Sequence, residues 1–350
     1  MDKTLRGQIW QIIGICILAL CPFVASAHEV YVLDEHTIAT ALSTDSPNPF
    51  TAYIGNEYDF FLWGLISFIV MSTVLAASAF HFFERQAGPF FAYIKRFAHP
   101  IARTTVGLCL IGFGLSGALF GTELPFDALF GPLSAVAQIL FFIAGAASIV
   151  GIYTRYIALV MIGIWAYAVS VFGSYILTYT DHLGAYILLF ALGSGISSAD
   201  YALKSGNLPS FLETLTRVIR PYSFPILRIL FGFGIMFAAI YGKFVHSELG
   251  LQTVVQHNLT DYFPFEPLFI VLGALIIEFL AGLMILLGVA VRWTGVFLIF
   301  WLTLSQIYFG EIWWVHVVLF GIGLAIFCHG YDRYSLEGRF LKRHNLEPVL

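Results

Sequence analysis

The chain has 350 residues, of which 59% are hydrophobic and only 11% charged, with a formal net charge of -4 and a mean hydropathy of +0.86. A soluble domain needs roughly 25% charged residues to cover its surface, so this composition excludes an ordinary soluble globule. No basic run or aromatic–basic stripe points to a nucleic-acid binder.

In chain order, residues 1–27 read as a secretory signal peptide. Lys3 and Arg6 give the positive start, Ile12 to Phe23 the short apolar stretch, and Ala25-Ser26-Ala27 the cleavage site before His28. An uncleaved anchor helix is the alternative. Cys21 is not a lipidation site, because Leu20 before it is too large. Cleavage leaves Cys109 and Cys328 without a C-x-x-C pair, so no disulfide framework or dithiol centre is expected. Both cysteines read as small buried hydrophobes. Residues 28–57 form a periplasmic segment that reads as loop, including Ser43-Thr44-Asp45-Ser46-Pro47-Asn48-Pro49. Its His28 and His36 are the candidate copper ligands, and spacing supplies no third.

Nine apolar runs follow, at 59–82, 102–120, 131–153, 157–178, 182–199, 225–245, 266–289, 293–310 and 312–329. A helix needs about 20 apolar residues to cross the hydrocarbon, and the length of these runs favours helices over the short alternating strands of a barrel. With His28 outside, fourteen of the seventeen Lys and Arg residues fall on the inner side; the exceptions are Lys3 and Arg6 of the signal and Lys243 outside. That partition follows the positive-inside rule and predicts a periplasmic mature N-terminus and a cytoplasmic C-terminus, in a bacterial inner membrane. Arg103, Arg155, Arg228 and Arg292 lie at cytoplasmic helix ends and read first as topology determinants and headgroup anchors. Trp313 and Trp314 read as part of an aromatic belt, with Tyr262, Phe263 and Phe265 near the outer interface.

The chain also repeats itself. Residues 141–173 align with 278–310 without a gap, pairing Ala144-Gly145 with Ala281-Gly282, Gly151 with Gly288, Arg155 with Arg292 and Phe172-Gly173 with Phe309-Gly310. Upstream, Arg103 pairs with Arg228, Gly107 with Gly232 and Gly117 with Gly242; shortening one loop by three residues brings His182 opposite His316. Each repeat holds four spans, an even number, so the halves should be related by a pseudo-twofold axis along the membrane normal. The expected architecture is all-α: a signal peptide (1–27), the periplasmic segment (28–57), an extra transmembrane helix (58–84), two tandem four-helix bundles (97–203 and 224–335) and a cytoplasmic tail (336–350).

The repeats differ where chemistry would be. Glu278 stands opposite Phe141, and Lys243 opposite Ala118. Glu278 falls near mid-membrane, where an ionised carboxylate costs about 2.5–3.5 kcal/mol on insertion scales and must be paired, protonated or functional. Lys243 lies at the outer end of its span, where it either snorkels or meets a partner. With Gln306, Glu311 and His316, these two residues are the candidate ligand-binding group, forming a polar pocket that opens outward. Arg228, Arg292 and His182 form a second tier. No catalytic residue is identifiable, and no phosphate-loop, dinucleotide, zinc-protease or nucleophile-elbow motif is present.

The second half resembles the DoxX/DoxD-like family of four-helix membrane proteins. Arg228 opens one helix and Gly242-Lys243 closes it; Glu278-x-x-Ala281-Gly282 runs to Leu287-Gly288 and Arg292, and His316 begins the last helix. The first half reads as a degenerate copy. The resemblance implies a membrane subunit linked to sulfur oxidation and quinone reduction, or a part of an oxidative-stress complex, with quinone the candidate ligand, the cofactor itself unidentified, and a protein partner in a membrane complex. A transporter with a parallel repeat and a non-catalytic assembly subunit are the other readings.

Overall fold

The computed structural model describes residues 33, 35–79, 82–195, 198–203, 208–310 and 312–341. Residues 1–27, read from the sequence as a signal peptide, lie outside the described residues, as do His28, Glu311 and the tail beyond residue 341. Among the described residues the chain is all-helical, with no strand. In chain order the helices are α1 (Glu35–Ser43), α2 (Glu57–Ala79), α3 (Phe82–Lys95), α4 (Ala98–Ser116), α5 (Phe126–Phe130), α6 (Ser134–Val150), α7 (Thr154–Phe172), α8 (Thr180–Leu192), α9 (Ala199–Leu203), α10 (Ser210–Ile219), α11 (Ser223–Ile240), α12 (Ser247–Gln256), α13 (Pro267–Leu287), α14 (Val291–Phe309) and α15 (Trp313–His329).

Among the described residues six stretches are long and apolar enough to cross a membrane: Glu57–Ala76, Ala98–Ser116, Phe126–Val150, Thr154–Leu192, Ser210–Val245 and Pro267–Leu287; α15 is a shorter apolar helix. This is a multi-pass membrane protein. Each of the nine apolar runs lies on a helix, but their ends differ from the sequence reading. The run 157–178 breaks at Gly173, where φ is +69° and a 3-10 turn, Gly173–Tyr179, leads into α8. Helix α8 keeps only 13 residues, roughly 20 Å of rise.

The packing pairs off. Helix α4 lies along α6 as α11 lies along α13, and α7 lies on α8 as α14 lies on α15. The fourth helix of each set packs most extensively on the first helix of the other: α15 on α4, and α8 on α11. Exchanging one set for the other reproduces this pattern. The closest crossings use matched glycines. A Cβ on Gly107 would sit 2.8 Å from the Gly145 carbonyl, and one on Gly232 would sit 2.5 Å from the Gly282 carbonyl; only hydrogen at Cα lets these backbones meet.

The arginines behave otherwise than the anchor reading expects. Arg103, Arg228 and Arg292 are buried. Arg103 donates to the Ser194 carbonyl and, at 3.4 Å, to that of Ile149. Arg228 donates to the Ile285 carbonyl at 2.8 Å, to the Leu286 carbonyl and to Asp332 at 2.8 Å. Arg292 donates to the carbonyls of Phe327 and Cys328. The guanidinium of Arg155 lies against Gly193, as that of Arg292 lies against Gly330. A helix C-terminus leaves carbonyls without intrahelical partners; turn amides such as that of Gly288 satisfy some of them, and a neighbouring cation satisfies more. The basic end of the bundle is therefore held by internal caps, and its charges are drawn away from the headgroups. Trp314 is likewise buried, at 6% exposure, against Gly112 and Phe113, so it is no part of a lipid-facing belt.

Two peripheral elements complete the fold. Helix α10 turns Leu212 and Ile219 toward the core but leaves Phe211, Leu215 and Val218 exposed, an i, i+4, i+7 stripe suited to lying in a membrane interface. The segment before α2 is not loop. Its α1 packs Ala41 on Leu249 of α12, and Thr37 accepts from Gln256 at 3.2 Å. Asn48 caps a 3-10 turn, Pro49–Tyr53, by accepting from the Phe50 amide at 3.1 Å. Ala52 then buries itself among Ala239, Leu268, Leu272 and Leu275. The segment is a strap across the second helix set.

Candidate functional site

Helix α11 ends in a π turn, Tyr241–Val245, that carries Lys243. Such turns widen a helix by one residue and re-aim side chains. The register between α11 and α13 is set by the contact of Gly282 with Met236. From Met236 to Lys243 is seven residues, and from Gly282 to Glu278 four, so the lysine lies about 4.5 Å further along the bundle axis. Side chains on a helix lean toward its N-terminus. Because α11 and α13 run in opposite directions, Lys243 leans back and Glu278 leans forward, and each closes part of that gap.

They meet as an ion pair, Lys243 Nζ to Glu278 Oε2 at 2.8 Å, with side-chain exposures of 8% and 13%. The indole of Trp301, on α14, donates to Glu278 Oε1 at 3.3 Å. The carboxylate is thus held on both oxygens, one by the ammonium and one by the indole. Sequence reasoning missed Trp301, which lies 23 residues from Glu278 on another helix. A tryptophan in an apolar run carries no signal of its own.

Over the pair lies the strap. Phe50 meets the Phe244 ring at 6.0 Å, next to Lys243, and Ala52 belongs to the apolar cluster that includes Leu275, one turn from Glu278. Ser247 donates to the Pro47 carbonyl, and Asn56 donates to Glu266 at 3.2 Å. Together with α12, these contacts close the end of the second set nearest the lysine.

The other candidates are placed differently. His316 is buried at 1% exposure on α15, in ring contact with Phe320 at 6.2 Å. Gln306 is half-buried on α14, five residues past Trp301. Glu311 lies outside the described residues. The centre the contacts define is therefore Lys243, Glu278 and Trp301, with Gln306 and His316 on the two helices that follow. Arg228 and Arg292 are structural caps. His36 is exposed, and among the described residues no three His, Cys, Asp or Glu side chains group as metal ligands.

His182 needs a correction of register. Helices α8 and α15 end at Gly193 and Gly330, which meet Arg155 and Arg292 alike. Counted from those ends, Leu319 stands opposite His182, and His316 lies one turn further out. The first set also holds polar groups outside the candidates named from the sequence. Glu123 accepts from the Tyr175 hydroxyl at 3.1 Å and from the Tyr179 hydroxyl, and Asp181 is buried at 3% exposure. Burial pushes the Glu123 carboxyl up to about 8, against the opposing pull of hydrogen bonds from its own backbone amide and from Tyr175. In place of the ion pair the first set has Phe141, packed on Phe113 and Phe126, and the buried Ala118.

Comparison of the chain with models of known protein families, with curated proteins and with solved structures finds no match.

Proposed function

We propose that the protein is a multi-pass subunit of the bacterial inner membrane, similar to the DoxX/DoxD-like family, that binds a quinone at the Lys243–Glu278 centre. The observation that carries this reading is the ion pair itself, 2.8 Å long and almost fully buried in a membrane-embedded helix set. A buried ion pair adds little stability over an apolar pair of similar volume, and ionisable groups at membrane depth mark ligand, ion or proton sites. The matching positions of the first set, Ala118 and Phe141, are apolar and buried, so the fold does not require the charges.

In this reading the Lys243 ammonium donates to one quinone carbonyl, and His316 or Gln306 donates to the other. Glu278 orients the ammonium, and Trp301 orients Glu278. The chain crosses the membrane nine times after signal cleavage, with its basic end in the cytoplasm and the strap and α12 in the periplasm. A partner redox protein supplies the electrons. The test is quinone reduction in membranes adjusted to equal protein level. Glu278→Gln and His316→Ala should each slow it, and unchanged rates in both variants refute the reading.

A non-catalytic assembly role is favoured by one observation: none of the apolar window of α2 is buried against the rest of the chain. If both variants left quinone reduction unchanged while removal of α2 released a co-purifying protein, that reading would replace the first.

A further inference from the structure

The first helix set holds a second polar centre with no role in the quinone reading. It lies at the start of α8. His182 is buried at 1% exposure, and among the described residues neither of its ring nitrogens has a hydrogen-bond partner. Rings enclose it: Phe120 at 4.8 Å, Phe113 at 5.7 Å, Tyr179 stacked at 6.0 Å and Tyr186 stacked at 6.2 Å. Its Nδ1 faces Asp181 Oδ2 at 3.9 Å, and that carboxyl is itself 3% exposed. Two backbone N–H groups, of Asp181 and His182, also point at the carboxyl. Tyr179 connects this pair to Glu123: its ring stacks on the imidazole while its hydroxyl donates to Glu123. Glu123 stands at the edge of the centre, half-buried, with Oε2 shielded from solvent and its neighbour Thr122 exposed.

We propose that this centre is a proton-binding site, in which Asp181 and His182 hold one proton between them and Glu123, reached from the surface, takes up a second. A buried imidazole with two unused nitrogens and a buried carboxyl one short movement away are each unfavourable alone. One proton between them gives a hydrogen bond, satisfies an oxygen and a nitrogen, and leaves the pair neutral overall. The closed ring wall suits this ligand, because a proton needs no cavity. It enters at Glu123 and reaches the pair past the Tyr179 hydroxyl. The groups facing the pair are Cys109 from α4, Tyr179 from the preceding turn and Tyr186 from α8; α11 approaches through Leu230 and Gly234, which are apolar. Further along are Tyr175 and, in ring contact with it at 5.2 Å, Tyr241, which begins the π turn of Lys243. The site thus lies next to the second set's centre but does not depend on what that centre binds.

The experiment is infrared difference spectroscopy of the full chain in lipid during a pH titration. The wild type should show two protonated-carboxyl bands that disappear as pH rises. Asp181→Asn should remove one and Glu123→Gln the other, while His182→Gln should shift the Asp181 band and its midpoint but leave the Glu123 band. Absence of both bands, or an Asp181 band indifferent to His182→Gln, overturns the proposal. If Asp181→Asn does not fold, nitrogen-15 spectra of ring-labelled histidine in the wild type decide, with His182→Gln as the assignment. A His182 signal with one strongly hydrogen-bonded nitrogen supports the shared proton, and a neutral ring with two unbonded nitrogens refutes it.

Discussion

Deleting one side of the Lys243–Glu278 pair should be far more damaging than deleting the other. Glu278 lies eleven residues into α13 from Pro267, about 16 Å along the helix. In Lys243→Met the side-chain partner that remains to it among the described residues is the Trp301 indole at 3.3 Å. Breaking a buried pair from one side costs about 3–5 kcal/mol, and a lone carboxylate at mid-membrane costs about 2.5–3.5 kcal/mol, so Lys243→Met should lose about 3–4 kcal/mol. Glu278→Gln keeps an oxygen for the indole and leaves an ammonium whose long stem can carry it toward the helix end. Its loss should be about 1–2 kcal/mol, the scale of one unsatisfied group. The double variant leaves no charge and should also lose only about 1–2 kcal/mol, a coupling of about 3–4 kcal/mol between the sites. Reversible unfolding in mixed micelles of increasing sodium dodecyl sulfate, followed by far-UV circular dichroism, measures all three. If the two single losses add to the double within about 0.5 kcal/mol, the two charges are not coupled and the account of the centre fails.

Four other perturbations have definite outcomes in the same assay or a simple variant of it. Arg228→Ala strips caps from the end of α13 and leaves Asp332 buried beside them; it should lose about 3–5 kcal/mol, only partly restored in Arg228→Lys, since an ammonium cannot span the same acceptors as a planar fork. Gly232→Leu should prevent folding, because its Cβ would lie 2.5 Å from the Leu286 nitrogen, whereas Gly163→Ala, in open space on α7, should stay within about 0.5 kcal/mol of wild type. The Glu123 carboxyl, raised from 4.5 to about 8 in the folded chain, makes the folded state bind the extra proton between those values. That contribution is fully present below 4.5 and is lost as pH rises toward 8; Glu123→Gln should flatten that slope, and an equally steep variant would contradict the assignment. Cys109 and Cys328 are buried and free, so a maleimide should label neither in the folded protein and both after unfolding.

The helical class and the membrane character were legible because they rest on composition and on run length, which tertiary context does not alter. The pairing of Lys243 with Glu278 was also within reach, since each residue is conspicuous in an apolar span and one charge calls for the other. The arginines were read in the wrong role. Their positions at helix ends suit both a headgroup anchor and a carbonyl cap, and only burial distinguishes the two. Trp301, Glu123 and Asp181 were missed for a related reason. Trp301 and Glu123 take their meaning from neighbours 23 and 56 residues away, brought near by helices whose lateral order an apolar sequence does not encode, and Asp181 takes its meaning from its burial beside His182. The strap misled because Asn48-Pro49 looks like turn chemistry, and it is one, but the turn packs against α13 through Ala52.

The exchange of fourth helices between the two sets bears on how the molecule is made. When α8 emerges its main partner α11 has not been synthesised, and α4 waits longer still, for α15. The first half therefore enters the bilayer with two flanks uncovered, and lipid must occupy them until the second half arrives. A half expressed alone would keep those flanks in lipid or cover them with a second copy of itself, the two copies trading helices as a swapped dimer. Joining both halves in one chain removes the need for that encounter and releases the copies from being identical. Phe141 can then occupy one side of the molecule and Glu278 the other, which no assembly of equal subunits permits.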